Sequence, residues 1–124
     1  MQNISHLSPI LPVRDMDKSL AFYNKLGFKN EFLWEDPVSY AVLSARENAS
    51  IHLSLLSPEQ KEDNRVSILY IFVHDVDQMY ENCKANDIAI HVEIGDRDYM
   101  MRDFEIQDPD GNLITFGKNI ESTE

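Results

Sequence analysis

The sequence predicts an α+β protein made of two tandem βαβββ modules that form a curved mixed sheet around a cleft. Three observations predict it. Val13, Asp15 and Asp17 recur as Val73, Asp75 and Asp77, sixty positions later in a chain of 124 residues. In both copies a strand-like run comes first, Pro9-Ile10-Leu11-Pro12-Val13 and then Ile68-Leu69-Tyr70-Ile71-Phe72-Val73. In both, a helix-like stretch follows. A unit of sheet and helix repeated at this spacing halves the chain and places one site between its halves. The expected modules cover about 5–57 and 66–118, joined by a polar linker over 58–65, within one domain over 1–124.

The first helix is expected over 15–26. Met16, Leu20, Tyr23 and Leu26 share one face, Asp15 or Asp17 can cap the start, and Gly27 stops the end. Three strands follow, over 28–35, 38–45 and 50–56, the last two separated by the polar turn Arg46-Glu47-Asn48. The second helix is expected over 75–85, with Val76, Met79, Tyr80 and Cys83 on its apolar face and Asn86 at its end. Strands over 88–94, 102–107 and 112–117 complete the second module. Asp108-Pro109-Asp110-Gly111-Asn112 makes the final hairpin, since Pro presets φ and Gly accepts a positive one. The polar tail over 118–124 should fray.

Period-two alternation sorts the strand residues into faces. Ile114 and Phe116 share one face, opposite Leu113, Thr115 and Gly117. Ile68, Tyr70 and Phe72 oppose Leu69, Ile71 and Val73. His52 and Ser54 oppose Ile51, Leu53 and Leu55. One face covers the helices and the other is free to line a cleft.

Length and composition narrow the function. A chain of 124 residues suits one ordinary domain, and 43% hydrophobic with 27% charged residues is a globular composition. No apolar run approaches the roughly 20 residues of a membrane span. Met1-Gln2-Asn3-Ile4-Ser5-His6 has neither the basic start nor the apolar segment of a signal peptide, and the single Cys83 excludes an internal disulfide. These features favour a cytoplasmic protein with no membrane partner. A net charge of −11 argues against nucleic acid and allows attraction of a cationic ligand.

The residues Leu11-Pro12-Val13-Arg14-Asp15, Ser19-Leu20-Ala21-Phe22-Tyr23, Leu26-Gly27-Phe28, Val73-His74-Asp75-Val76-Asp77 and Phe104-Glu105-Ile106-Gln107-Asp108-Pro109-Asp110-Gly111-Asn112 follow a known order and spacing. The chain resembles the vicinal oxygen chelate superfamily of glyoxalase I, extradiol dioxygenases, and fosfomycin- and bleomycin-resistance proteins. Pro9 after Ser8, the Arg14-Asp15 pair and Arg102-Asp103-Phe104 make it most similar to the bleomycin-resistance branch. That resemblance implies a homodimer that sequesters a drug in clefts at its interface, with an N-terminal strand exchanged between chains at the proline.

The enzymes of this superfamily hold a divalent metal with His, Gln or Glu on four strands. The resemblance carries those positions onto Ser8, Ile68, a site near His52, and Thr115. A catalytic zinc site needs about three ligands of N, O⁻ or S⁻ type, and here only His52 qualifies. His6, His74 and His91 stand at no ligand spacing from one another, and Cys83 lies on an apolar helix face. Neither a metal nor any other cofactor is therefore expected. The alternative is a metal-dependent lyase, isomerase or dioxygenase with an atypical ligand set around His52. A third possibility is a sensor or interaction protein that kept the fold without a ligand.

Without a metal, the cleft lining is aromatic. Tyr40, His52, Tyr70, Phe72, Tyr99, Met101, Arg102, Phe104 and Thr115 are the candidate ligand-binding residues. Such a lining suits a flat aromatic or cationic small molecule, and the resemblance implies a bleomycin-type antibiotic as that ligand. Asp103 or Glu105 can meet a positive charge on it, and aromatic faces attract cations as well. Asp15, Asp17, Asp75 and Asp77 read as helix caps, and Asp108 and Asp110 as turn residues.

Overall fold

The computed structural model describes residues 3–46, 49–62 and 64–121. Glu47 and Asn48 of the expected turn, Asp63 of the linker and residues 122–124 of the tail lie outside them. The element order is β1 (Ile10–Val13), α1 (Met16–Lys25), β2 (Lys29–Trp34), β3 (Tyr40–Ala45), β4 (Ala49–Leu55), β5 (Ile68–Phe72), α2 (Val76–Ala85), β6 (Ile90–Asp96), β7 (Met101–Gln107) and β8 (Leu113–Asn119). The tandem βαβββ organisation is therefore present. The chain divides into two units, Met1–Val66 and Ser67–Glu124, and each holds one four-stranded mixed sheet.

The repeat goes deeper than the sequence echo. Asp15 caps α1 by accepting from the Lys18 amide at 3.2 Å, and Asp75 caps α2 by accepting from the Gln78 amide at 3.0 Å. Both caps have extended backbone, as an N-cap requires. After each helix the next apolar residue folds back in the same way. The Phe28 amide donates to the Tyr23 carbonyl at 3.0 Å, and the Ile88 amide to the Cys83 carbonyl at 2.9 Å. Gly27 takes the left-handed conformation that ends α1, with φ of 103°.

Ile88 is thus a buried anchor after the helix, and β6 begins two residues later than the pattern predicts. β8 likewise runs on through Asn119, beyond the end expected for it, because Lys118 and Asn119 pair with Arg102 and Met101. The buried stripe of α1 centres on Met16, Ser19 and Tyr23, with Leu20 and Leu26 only partly covered. Burial also pushes the Cys83 thiol up to about 11, so this side chain is packing rather than a nucleophile.

In the first unit the order is β1-β4-β3-β2, with β1 parallel to β4 and the other pairs antiparallel. Leu11, Val13, Ala41, Leu43, Ile51 and Leu53 are buried against α1. In the second the order is β5-β8-β7-β6 with the same senses. Phe104, Ile106, Ile114 and Phe116 are buried beneath α2. The hairpin at 108–112 locks that sheet. Asp108 Oδ1 accepts from the amides of Asp110 and Asn112 at 2.9 and 2.8 Å, and Asn112 Oδ1 accepts from the Ser67 amide at 2.6 Å. These buried groups are spent on the turn and on the entry to β5, as their place in a turn predicts. Each sheet keeps a second face that its helix does not cover.

Candidate ligand-binding face

On the uncovered face of the second unit, cross-strand register sets side chains in rows. Tyr70 pairs with Thr115 and Thr115 with Glu105; Phe72 pairs with Gly117 and Gly117 with Asp103. Tyr70, Phe72, Tyr99, Met101 and Thr115 line one open concavity of about 490 Å³. That volume lies within the usual range for small-molecule sites, about 300–1,000 Å³. Phe72 is 66% exposed and Tyr99 62%, large apolar surfaces left in water. The rings of Tyr70 and Phe72 stand 5.0 Å apart at 49°, an aromatic pair left partly in water.

Beneath these rings lies a buried carboxylate. Asp103 is 3% exposed and accepts three charge-assisted hydrogen bonds. Arg97 Nε donates to Oδ1 at 2.8 Å, while the hydroxyls of Tyr70 and Tyr99 donate to Oδ2 at 2.9 and 2.8 Å. Burial alone pushes this carboxyl up, but the bonds from Arg97, Tyr99 and Tyr70 outweigh it and hold Asp103 below the ordinary carboxylate range. The phenol of Tyr70 is raised by burial and by its bond to Asp103; that of Tyr99 is raised chiefly by the same carboxylate. The tight turn after β6 makes the convergence possible. The Arg97 amide donates to the Met101 carbonyl at 2.7 Å, and Met100 takes φ of 65°.

Gly117 is part of this arrangement for a steric reason. A Cβ built there would lie 2.0 Å from the Tyr70 hydroxyl oxygen. Tyr70 reaches Asp103 only because the strand between them has no side chain at that point. Gly117→Ala is expected to expel the Tyr70 phenol and to cost about 1–3 kcal/mol. Urea denaturation together with the tyrosine near-ultraviolet circular dichroism band would check both effects.

Seven of the nine candidate residues lie on uncovered faces or their rims, and two do not. Phe104 is 0% exposed and sits on the helix side of β7, with ring centroids 5.0 Å from Tyr80 and 5.4 Å from Phe116. It is a core residue, because alternation turns it away from Asp103 and Met101. Arg102 shares that side. It grips Asp77 with Nη2 and Nε at 2.8 and 3.1 Å and Asp96 with Nη1 at 3.0 Å. These bonds raise the Arg102 guanidinium and lower Asp77, and they tie α2 to β6 at the surface. Asp103 also departs from expectation. Its charge is met by Arg97 inside the protein rather than offered to a ligand. Glu105 remains partly exposed beside Thr115, with His91 at 3.7 Å.

Tyr40 and His52 belong to the first unit. The Tyr40 hydroxyl and His52 Nδ1 share a hydrogen bond of 2.6 Å, and their rings meet edge to face at 5.4 Å. Tyr40 lines a second open concavity of about 450 Å³ with Phe32, Trp34, Ser39, Ser54 and Leu55. Phe32 and Trp34 on β2 are additional aromatic candidates. Alternation marks them as one face, and their being more than half exposed on an edge strand sets them apart from the core.

The family model described as the glyoxalase/bleomycin resistance protein/dioxygenase superfamily matches residues 3–116. The chain belongs to that superfamily. Among curated relatives, the bleomycin resistance proteins of Geobacillus stearothermophilus and Staphylococcus aureus are each 34% identical over 131 aligned positions, covering 92% of this chain and 96% of theirs. Among solved structures, a bleomycin-binding protein complexed with bleomycin aligns with a TM-score of 0.77 at 23% identity, covering 94% of this chain and 99% of the other. TioX from Micromonospora sp. ML1 aligns with a TM-score of 0.80 at 18% identity, covering 94% and 99%. At these identities the structural likeness establishes the fold.

The metal that enzymes of this glyoxalase superfamily use does not fit the residues present. Ile68 offers no donor, Thr115 only a neutral hydroxyl, and the Ser8 hydroxyl is engaged with that of Ser50. His52 spends Nδ1 on Tyr40. Among the described residues no group of three or more His, Cys, Asp or Glu side chains could hold a metal ion. None of the described helices is long and apolar enough to cross a membrane.

Proposed function

We propose that this protein is a binding protein of the bleomycin-resistance type. It sequesters an aromatic or cationic small molecule, of which a bleomycin-type antibiotic is the first candidate, and it uses neither metal nor cofactor. The observation that carries this reading is the aromatic surface of Tyr70, Phe72 and Tyr99, left in water on a sheet face that its own helix does not cover. The likeness to curated bleomycin resistance proteins over nearly the whole chain supports it. A flat ligand would stack on these rings, and a positive charge on it would be met by ring faces, by Glu105 and by the overall −11 charge.

The same reading takes the chain as a single domain over 1–124 in a cytoplasmic homodimer whose clefts lie at the interface, with an N-terminal strand exchanged at Pro9. Ile4, Leu7 and Ile10 support the exchange, because each exposes a large apolar side chain around that proline. Residues 3–9 form no helix or strand of their own.

A thermal-shift experiment tests the function. Bleomycin at a hundred times its dissociation constant should stabilise the protein by about 2.7 kcal/mol, a rise in melting temperature on the order of 10 °C. An unchanged melting temperature with bleomycin and with other flat aromatic cations would sink the reading.

A further inference from the structure

The row of β7 that carries Asp103 is built in an unusual way. Asp103 pairs with Gly95 on one neighbouring strand and with Gly117 on the other. The chain has only four glycines, so half of them flank this one carboxylate. Both leave space that a particular side chain uses. A Cβ at Gly95 would come within 3.0 Å of Arg97 Nη1, and a Cβ at Gly117 would overlap the Tyr70 phenol. Neither glycine has a positive φ, so the missing side chain, not backbone freedom, is what each position supplies.

Through these gaps Arg97 and Tyr70 converge on Asp103 from opposite sides, while Tyr99 arrives from the turn after β6. Arg97 is itself fixed: Nη2 donates to the Glu93 carbonyl at 2.7 Å and to the Asp103 carbonyl at 3.0 Å. The rings held in this way belong to the binding face, and their hydroxyls point down into the sheet. We infer that Asp103, anchored by Arg97, is the positioning residue of the binding face, fixing Tyr70 and Tyr99 so that the ligand meets ring faces and not phenol hydroxyls. This deepens the proposed function and rests on it.

Two consequences follow from that geometry. Ordering two tyrosines before the ligand arrives removes an entropy cost from binding. With both hydroxyls committed to Asp103, the site favours ligands that offer flat aromatic surface or positive charge over ligands that need a hydroxyl partner. The raised phenols of Tyr70 and Tyr99 are consistent with donors locked onto a carboxylate.

The test titrates bleomycin by calorimetry into the wild type, Asp103→Asn, the Tyr70→Phe/Tyr99→Phe double variant and the triple variant. Near-ultraviolet circular dichroism is recorded on each without ligand. Asp103→Asn should weaken binding roughly tenfold, the scale of releasing two oriented side chains. The double variant, which keeps both rings, should weaken it similarly, and the triple variant no further, since all three changes cut the same link. The tyrosine band should shrink in Asp103→Asn while the far-ultraviolet spectrum stays. Wild-type affinity in Asp103→Asn, or losses that multiply in the triple variant, would overturn the inference. Should Asp103→Asn not fold, wild-type affinity in the double variant would overturn it instead. A wild type that takes up neither bleomycin nor another flat aromatic cation sinks the proposed function itself, whereas an unchanged tyrosine band in Asp103→Asn overturns only the inference.

Discussion

Truncating Phe104 to alanine is expected to destabilise the protein by about 3–5 kcal/mol, the range for removing a fully buried aromatic side chain. Phe104 is wholly buried between Tyr80 of α2 and Phe116 of β8, so the loss opens a cavity in the middle of the second unit. The denaturant midpoint should fall with little change in slope. Ligand affinity measured on the folded fraction should stay as in the wild type, because the ring faces away from Tyr70 and Tyr99. Weakened binding at undiminished stability would place Phe104 on the candidate ligand-binding face and contradict the pairing of β7 with β8.

The second large effect is at Arg97. Arg97→Ala leaves the Asp103 carboxylate buried without its cation, and breaking such a pair costs about 3 kcal/mol, because the remaining charge is uncompensated. The pH dependence gives the effect a signature. In the wild type the folded pKa of Asp103 is depressed, so its contribution is present above the unfolded value near 4 and is lost as the pH falls below it. In Arg97→Ala, protonation removes the burden that the missing guanidinium leaves. The unfolded chains titrate alike, so the stability gap between the two proteins should be wide at neutral pH and narrow towards acid pH, as Asp103 takes up a proton in the folded variant before it does so in the folded wild type. Urea denaturation from pH 7 to pH 3 measures it. A gap that is constant with pH would mean that Arg97 matters for its packing and not for its charge.

Most of the fold was legible because it depends on local rules applied twice. Asp15 and Asp75 are caps by residue type and position, and the structure uses both in that way. Alternation in β4, β5 and β8 correctly separated Ile51, Leu53, Ile114 and Phe116 from His52, Tyr70 and Thr115. Strand ends were less legible. Ile88 reads as strand by its apolar character, yet the fold uses it to close the helix, and β6 starts only at Ile90.

The candidate site was legible where alternation could reach and obscure where it could not. Tyr70, Phe72 and Thr115 follow from strand faces. Phe104 and Arg102 are near Tyr99 and Met101 in sequence, but successive residues of a strand point to opposite sides, so β7 turns them towards the helix. The turn at 108–112 fixes the pairing of β7 with β8, so Gly117 opposite Asp103 carried a readable signal that something large crosses there. Arg97 carried none. It lies in a turn at the end of β6, and only the folded path shows it reaching back to Asp103. Phe32 and Trp34 were visible as a strand face, but their exposure depends on β2 being an edge strand.

On the proposed function, the ligand binds the uncovered aromatic face and needs no metal. Calorimetric titration of metal-stripped bleomycin into chelator-treated protein, for the wild type and for a Tyr70→Ala/Phe72→Ala variant, tests it most directly. Saturable binding by the wild type, unchanged when zinc or manganese is restored and weakened about a hundredfold in the variant by loss of two stacking rings, is the predicted result. Binding that appears only with added metal, or equal affinity in the variant, would contradict it.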